Sequence, residues 1–210
     1  MATITNYLAN LLVDWYWRGQ PKTPPVTFYK GLIVATRGYS SSNRSTAVNL
    51  GDTMIPATPN GHIYECTTAG TTGAAEPAWA TGSGSTVTDG TAVWTEQTTA
   101  MEAGTVKEVA NADYGRVAVT AGLTEFAGTQ GAGSTTASTG TSKTTSNNSA
   151  ITFPAPSTSW GVIWGEFWAD AANGGDILSF AALAAPQTVN AGATAPSFAP
   201  AASSFQFDSI

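Results

Sequence analysis

Hydrophobic and polar positions change period along this chain. From Thr3 to Trp17 (TITNYLANLLVDWYW), Ile4, Leu8, Leu11, Leu12 and Trp15 recur at i, i+4, i+7, i+8 and i+11. That spacing traces one face of a helix. Thr3 or Thr5 supplies a cap, and Gly19 and Pro21 end the element. Tyr7, Tyr16 and Trp17 add apolar surface beyond that face. Two readings stand: the helix packs wholly on its own domain, or a rim of Tyr7, Leu11, Trp15, Tyr16 and Trp17 faces another subunit. After the rigid connector Lys22-Thr-Pro-Pro the period falls to two. VTFYKGLIVATRG (26–38) reads as a strand with Val26, Phe28, Leu32 and Val34 on its buried side.

Two further apolar runs, WGVIWGEFWAD and DILSFAALAA, are joined by Ala-Asn-Gly-Gly. Turn residues tolerant of positive φ between such runs predict a hairpin. Trp160, Trp164 and Trp168 are four apart, an even spacing that places all three on one strand face. Glu166 between them pairs with Arg116 or Arg18, or faces solvent. Residues 48–96 hold shorter strands: HIYECTT alternates, TAVWTE reads as a strand, and Asn60-Gly61 and Asp89-Gly90 are hairpin turns. Residues 127–149 are low-complexity Gly, Ser and Thr, either a flexible loop or a long hairpin arm. The tail gives a strand near 186–190, a turn at Ala191-Gly192 and a final strand near 203–208.

Composition narrows the class. The chain of 210 residues suffices for one sizeable core, or a core plus an inserted module. Charged residues make up only 10%, against about a quarter in ordinary domains. Uncharged polar surface of this kind suits extended or particle-bound β proteins. Net charge is −6 and the cations are scattered, so no phosphate-neutralising patch forms and nucleic acid is not an expected partner. Cys66 is the single cysteine, which rules out an intrachain disulfide and a Cys-based zinc site and reads as a small buried residue. MATITNYLAN lacks the basic start and long apolar run of a signal peptide. No run approaches about 18 apolar residues, so no membrane insertion is expected.

Candidate chemistry is sparse. His62 is the only histidine and sits beside a turn, and no Gly-x-Ser-x-Gly elbow occurs. Glycoside hydrolysis needs two carboxylates across a cleft, whereas the acids here lie singly. Metal-ligand spacings and phosphate loops are missing as well. No catalytic residue, cofactor or metal is expected, and the chain reads as a non-enzyme. Tyr64, Trp79 and Trp94 have two readings: the miniature core of a small module, or a stacking platform for sugar rings.

The residues ITFP (151–154), Trp160-Gly161, Gly174-Gly175, Thr188-Val189 and Ser197-Phe198, with Asn6-Tyr7-Leu8, Leu11-Leu12 and Tyr114–Val119, carry a family pattern. Here the chain resembles small virion proteins of tailed bacteriophages, described as tail-fibre or head-decoration proteins. Gly115 stands where that pattern has Ala. The stretch from Gly51-Asp52 through Asn60-Gly61, Tyr64, Cys66, Gly70, Glu76-Pro77, Trp79, Asp89-Gly90-Thr91 and Trp94 is similar to a small all-β module of phage structural proteins, and its aromatics also resemble chitin- and cellulose-binding modules. The resemblance assigns Asp52, Glu76 and Asp89 turn and capping work.

The expected fold is mainly β: an antiparallel β-sandwich with an N-terminal helix (1–45 and 99–210) and a small inserted all-β module (46–98). The expected function is a virion structural protein, assembled in the host cytoplasm, most readily a capsid decoration (cement) protein on the major capsid protein or another virion protein. The alternative is a tail-fibre or adhesin-type protein holding a host-surface glycan on Tyr64, Trp79 and Trp94. A homo-oligomer is expected in either case. A secreted carbohydrate-active enzyme is disfavoured by the missing catalytic pair.

Overall fold

The computed structural model describes residues 2–206. Strand β1 (Thr3–Ile4) leads into helix α1 (Asn6–Leu12), a π-helical turn (Val13–Trp17) and the proline-containing connector. Then come β2 (Thr27–Ala35), β3 (Arg37–Gly38), β4 (Ala47–Val48), β5 (Thr53–Ile55), β6 (Tyr64–Thr68), β7 (Gly70–Thr71), β8 (Thr86–Asp89), β9 (Ala92–Glu96) and a short helix α2 (Thr98–Glu102). The remainder is β10 (Val117–Thr120), β11 (Thr144–Ser146), β12 (Ile151–Thr152), β13 (Gly161–Ala169), β14 (Ile177–Val189), β15 (Ser197–Phe198) and β16 (Ser204–Gln206). The architecture is mainly β with antiparallel sheets, as expected. Of the expected final strand, Phe207 and Asp208 lie outside the described residues.

The central sheet runs β1-β14-β13-β2-β10, antiparallel throughout. Gly174 and Gly175, both at positive φ, turn the β13–β14 hairpin. Strand β13 is covered on both faces, which explains its nearly unbroken apolar sequence. A bulge interrupts the hairpin. Gly165 pairs with Ala182 but Ile163 pairs with Gln187, so Trp164 alone spans the length of Leu183–Pro186. Against β2, Ile163 pairs with Val34 and Gly165 with the adjacent Ile33, so Trp164 is one extra residue on β13 and inverts its side-chain alternation. Trp164 therefore joins Phe167 and Ala169 on one face, while Trp160 and Trp168 pack on the other. This corrects the single-face expectation for the three tryptophans. Val26 is also corrected: it precedes β2 and is exposed.

Each face of the sheet carries its own layer. On one, Ile33, Ala35, Trp164, Phe167 and Phe180 pack with Ile55 and Ile63 of the inserted region and Met101 of α2. On the other, Val119, Ile151, Trp168 and Leu178 meet Leu8 and Phe205, and Leu32, Ile163 and Trp160 meet Phe153 and Val189. Two-stranded ribbons β11–β16 and β12–β15 complete this second layer. The inserted strands form a sheet ordered β3-β5-β6-β9-β8. It reaches back to Arg37 through the parallel β3–β5 pair, so the insertion grows directly from the end of β2. The 127–149 segment folds on itself, with Gln130 bonded to Thr136, Ala137 and Thr139, and ends in β11.

Candidate assembly surface

Helix α1 is fixed at its start by Thr5. The Thr5 backbone N–H donates to Leu178 O at 3.0 Å, and its hydroxyl donates to Ile177 O while accepting from Leu8 N. The side chain is fully buried, so the cap also anchors the helix to β14. Leu8 and Tyr7 pack toward Trp168 and Leu178. Beyond Leu12 the hydrogen bonds lengthen by a residue: Arg18 N donates to Val13 O. A π turn of this kind widens the helix and rotates the residues after it. The aromatic run that follows points away from the core. Trp15, Tyr16 and Trp17 are 46%, 73% and 80% exposed. Their rings meet edge-to-face, Trp15 to Tyr16 at 6.3 Å and Tyr16 to Trp17 at 5.6 Å. Asp14 and Arg18 pair at 2.7 Å beside them, and Gly19 at φ +64° ends the element.

The rim residues expected from sequence are thus brought together, though unequally. Tyr7 and Leu11 are half-buried and line a hollow of about 390 Å³ between the helix and the Pro24-Pro25 connector. Lys22 sits over the Tyr7 ring at 5.8 Å. Tyr16 and Trp17 are the free, outward part.

The proposed sugar platform is built differently. Tyr64 and Trp94 are wholly buried in the inserted core with Tyr39, Met54, Cys66 and Val87. Trp79 is half-buried between them, 4.6 Å from Tyr64 and 6.2 Å from Trp94. The Tyr64 hydroxyl donates to Ala80 O, and Trp79 Nε1 donates to Glu76. These aromatics hold the module together, and Tyr64 and Trp94 present no ring face to a glycan.

The carboxylates are likewise engaged within the fold. Asp52 accepts from Asn49 N and pairs with Arg37, Glu76 accepts from Ala57 N, and Asp89 accepts from Gly73 N. Glu96 takes His62 at 2.8 Å together with Gly84 N, Thr98 N and the Thr98 hydroxyl. Burial would raise its pKa, but the bonds from Thr98, His62 and Gly84 outweigh burial and hold it low. Burial pushes the Cys66 thiol up, as for an inert core cysteine.

Three polar centres were not legible in the sequence. Glu166 meets neither Arg116 nor Arg18 but Lys30, at 2.8 Å, with Ser203 bridging the two at 2.7 and 3.1 Å. Lys30 is fully buried, and the Trp168 and Phe198 rings lie 4.6 and 5.0 Å from its ammonium. Arg116 instead forks onto Glu108 and caps the hairpin turn through Ala171 O and Gly174 O. Asp113 accepts from Thr158, Trp160 Nε1 and Ser157. Desolvation opposes its charge, yet those donors hold its carboxyl far below the usual carboxylate range. The pairing of Lys30 with Glu166 needs strands 136 positions apart to align, which no local pattern encodes.

No curated protein matches the chain at a significant level. A family model described as podophage GP4 fiber I protein gp80 matches residues 81–206. The match begins in the inserted region just before β8 and takes in β10 to β16, while the aromatic rim lies outside it. It spans well over half of the chain, and the chain belongs to this family of bacteriophage structural proteins.

Proposed function

We propose that the protein is a non-enzymatic, fibre-type component of the virion, held to neighbouring subunits by the rim at Trp15, Tyr16 and Trp17. The observation that carries this reading is that rim. Three consecutive large aromatics stand in solvent at the end of an element whose capping Thr5 is buried against β14, with the exposed Asp14–Arg18 pair beside them. Aromatic side chains exposed on a rigid base are the usual anchors of protein interfaces. The family description favours a fibre over a capsid decoration protein. The engagement of Glu96, Glu108, Asp113 and Glu166 in structural contacts supports a structural rather than catalytic role.

The test is incorporation. Quantitative mass spectrometry of purified particles should give a copy number small relative to the major capsid protein. A number near that of the capsid protein would mean head decoration. Trp17→Asp should lower incorporation by about tenfold or more, the effect of losing an interface anchor, with the isolated protein still folded. Unchanged incorporation would remove the rim from the assembly.

A further inference from the structure

Two asparagines in the chain are followed by glycine, Asn60 before Gly61 and Asn173 before Gly174. Such a pair is chemically exposed. With no Cβ on the second residue, its backbone nitrogen can approach the carbonyl carbon of the asparagine side chain. The fold holds the two pairs in different ways. Asn60 is tied at both atoms of its amide: Oδ1 accepts from His62 N at 3.0 Å, and Nδ2 donates to the Tyr64 hydroxyl at 2.9 Å. Tyr64 is itself buried and donates onward to Ala80 O. Asn173 instead stands in the β13–β14 turn, where Ala172 to Asp176 are all exposed. The bonds of that turn run through other atoms. Arg116 donates to Ala171 O and Gly174 O, and Asp176 N donates to Asp170 Oδ1. Among the described residues nothing is bonded to the Asn173 amide or to the Gly174 N–H.

We propose that Asn173 is a site of spontaneous deamidation. Gly174 N gives its proton to solvent and attacks Asn173 Cγ. The new N–Cγ bond closes a succinimide ring, the Cγ–Nδ2 bond breaks, and ammonia leaves with a proton from water. Water then opens the ring. Addition at Cγ breaks the new bond and yields aspartate, whereas addition at the main-chain carbonyl carbon yields isoaspartate. Either product adds a negative charge to the net −6. Isoaspartate also routes the main chain through Cβ and Cγ. That lengthens the turn between Ala171 O and Gly174 O, the two carbonyls that Arg116 bridges.

Asn60 is the internal control. Its side chain must break both bonds before Cγ can turn toward Gly61 N, which slows the reaction by about tenfold or more.

The experiment is peptide mapping of the full chain after incubation in heavy-oxygen water, by mass spectrometry with fragmentation that separates isoaspartate from aspartate. A parallel sample is held in urea. In the folded protein the Asn173 peptide should convert, with isoaspartate among the products and heavy oxygen incorporated. Asn60 should convert about tenfold more slowly or less. In urea the two pairs should react at comparable rates, because only the fold distinguishes them. Asn173→Gln should keep the near-ultraviolet dichroism of the wild type and lose the acidic form that wild type develops on isoelectric focusing. An Asn173 that stays intact in the folded chain while converting in urea overturns the proposal, as does an Asn60 that reacts equally fast in the folded chain. Aspartate without isoaspartate would rule out attack by Gly174 N. An acidic form that persists in Asn173→Gln would place the reaction elsewhere.

Discussion

Lys30 is the residue on which the second layer is fastened to the central sheet. Burial lowers its pKa from 10.5 to about 8, and only part of that is offset by the Glu166 charge and hydrogen bond. A folded pKa below the unfolded one means that the folded chain releases its proton first. Below pH 8 both states are protonated and the burial penalty is constant. Between about pH 8 and 10.5 the unfolded chain holds more protons, so stability rises with pH. The full rise is on the order of 3 kcal/mol, at about 1.4 kcal/mol per pKa unit. Tyr114, whose hydroxyl is pushed up by burial and by Glu108, opposes it only once free tyrosines ionise near pH 10. Cys66, whose thiol burial also pushes up, opposes the rise once free thiols ionise at about pH 8.5. Urea unfolding from pH 7.5 to 9.5 should therefore show stability that rises with pH in the wild type relative to Lys30→Met, whose own profile falls toward the alkaline end. At pH 7 that substitution should cost about 3–5 kcal/mol by stranding the Glu166 carboxylate, and adding Glu166→Leu should restore most of it. Equal losses in the single and double variants would mean that packing, not charge, governs the site.

Helix α1 shows which parts of an element a sequence carries. Its apolar spacing and its threonine cap are local, and both were legible. Thr5 nevertheless does more than cap, because its hydroxyl also donates to Ile177 O on β14. Replacing it with Val keeps the shape and removes both bonds, at a cost of about 1–2 kcal/mol. The loss should appear as faster amide exchange across residues 6–12, with Thr5→Ser retaining protection. Exchange unchanged in Thr5→Val would refute the anchoring role. Strand β13 marks the limit of such reading. Its β character followed from Val162, Ile163 and the flanking glycines, but the faces of Trp160, Trp164 and Trp168 did not. A bulge turns on how the partner strand pairs, here β2, whose adjacent Ile33 and Val34 face Gly165 and Ile163 and leave Trp164 extra, and β2 lies far from β13 in the sequence. The same limit applies to Tyr64, Trp79 and Trp94. Their spacing is equally compatible with a platform and a core, and only the pairing of β6 with β9, which sets Cys66 opposite Trp94, turns these rings inward.

At the scale of the whole molecule, the inserted region is less separate than its boundaries at 46–98 suggest. The region has its own core around Tyr64 and Trp94, but a module that merely projected from a loop would leave the central sheet complete. Instead Ile55 and Ile63, at 4% and 2% exposure, lie in one apolar layer with Trp164, Phe167 and Phe180. Met101 on α2, just past the last inserted strand, closes the same layer. Excision of 49–96 would uncover that face of Trp164 and Phe167, and the expected outcome is that the sheet and the insertion unfold together. Ile63→Ala tests this at a single side chain. Truncating a buried isoleucine removes its burial and leaves a cavity, costing about 2–5 kcal/mol. Because both parts share the layer, the loss should lower one cooperative unfolding transition, seen alike by tryptophan fluorescence and by far-ultraviolet dichroism. Two separated transitions, with only the lower one moved by Ile63→Ala, would show that the insertion folds apart from the sheet, and the shared layer would then contribute contact without cooperativity.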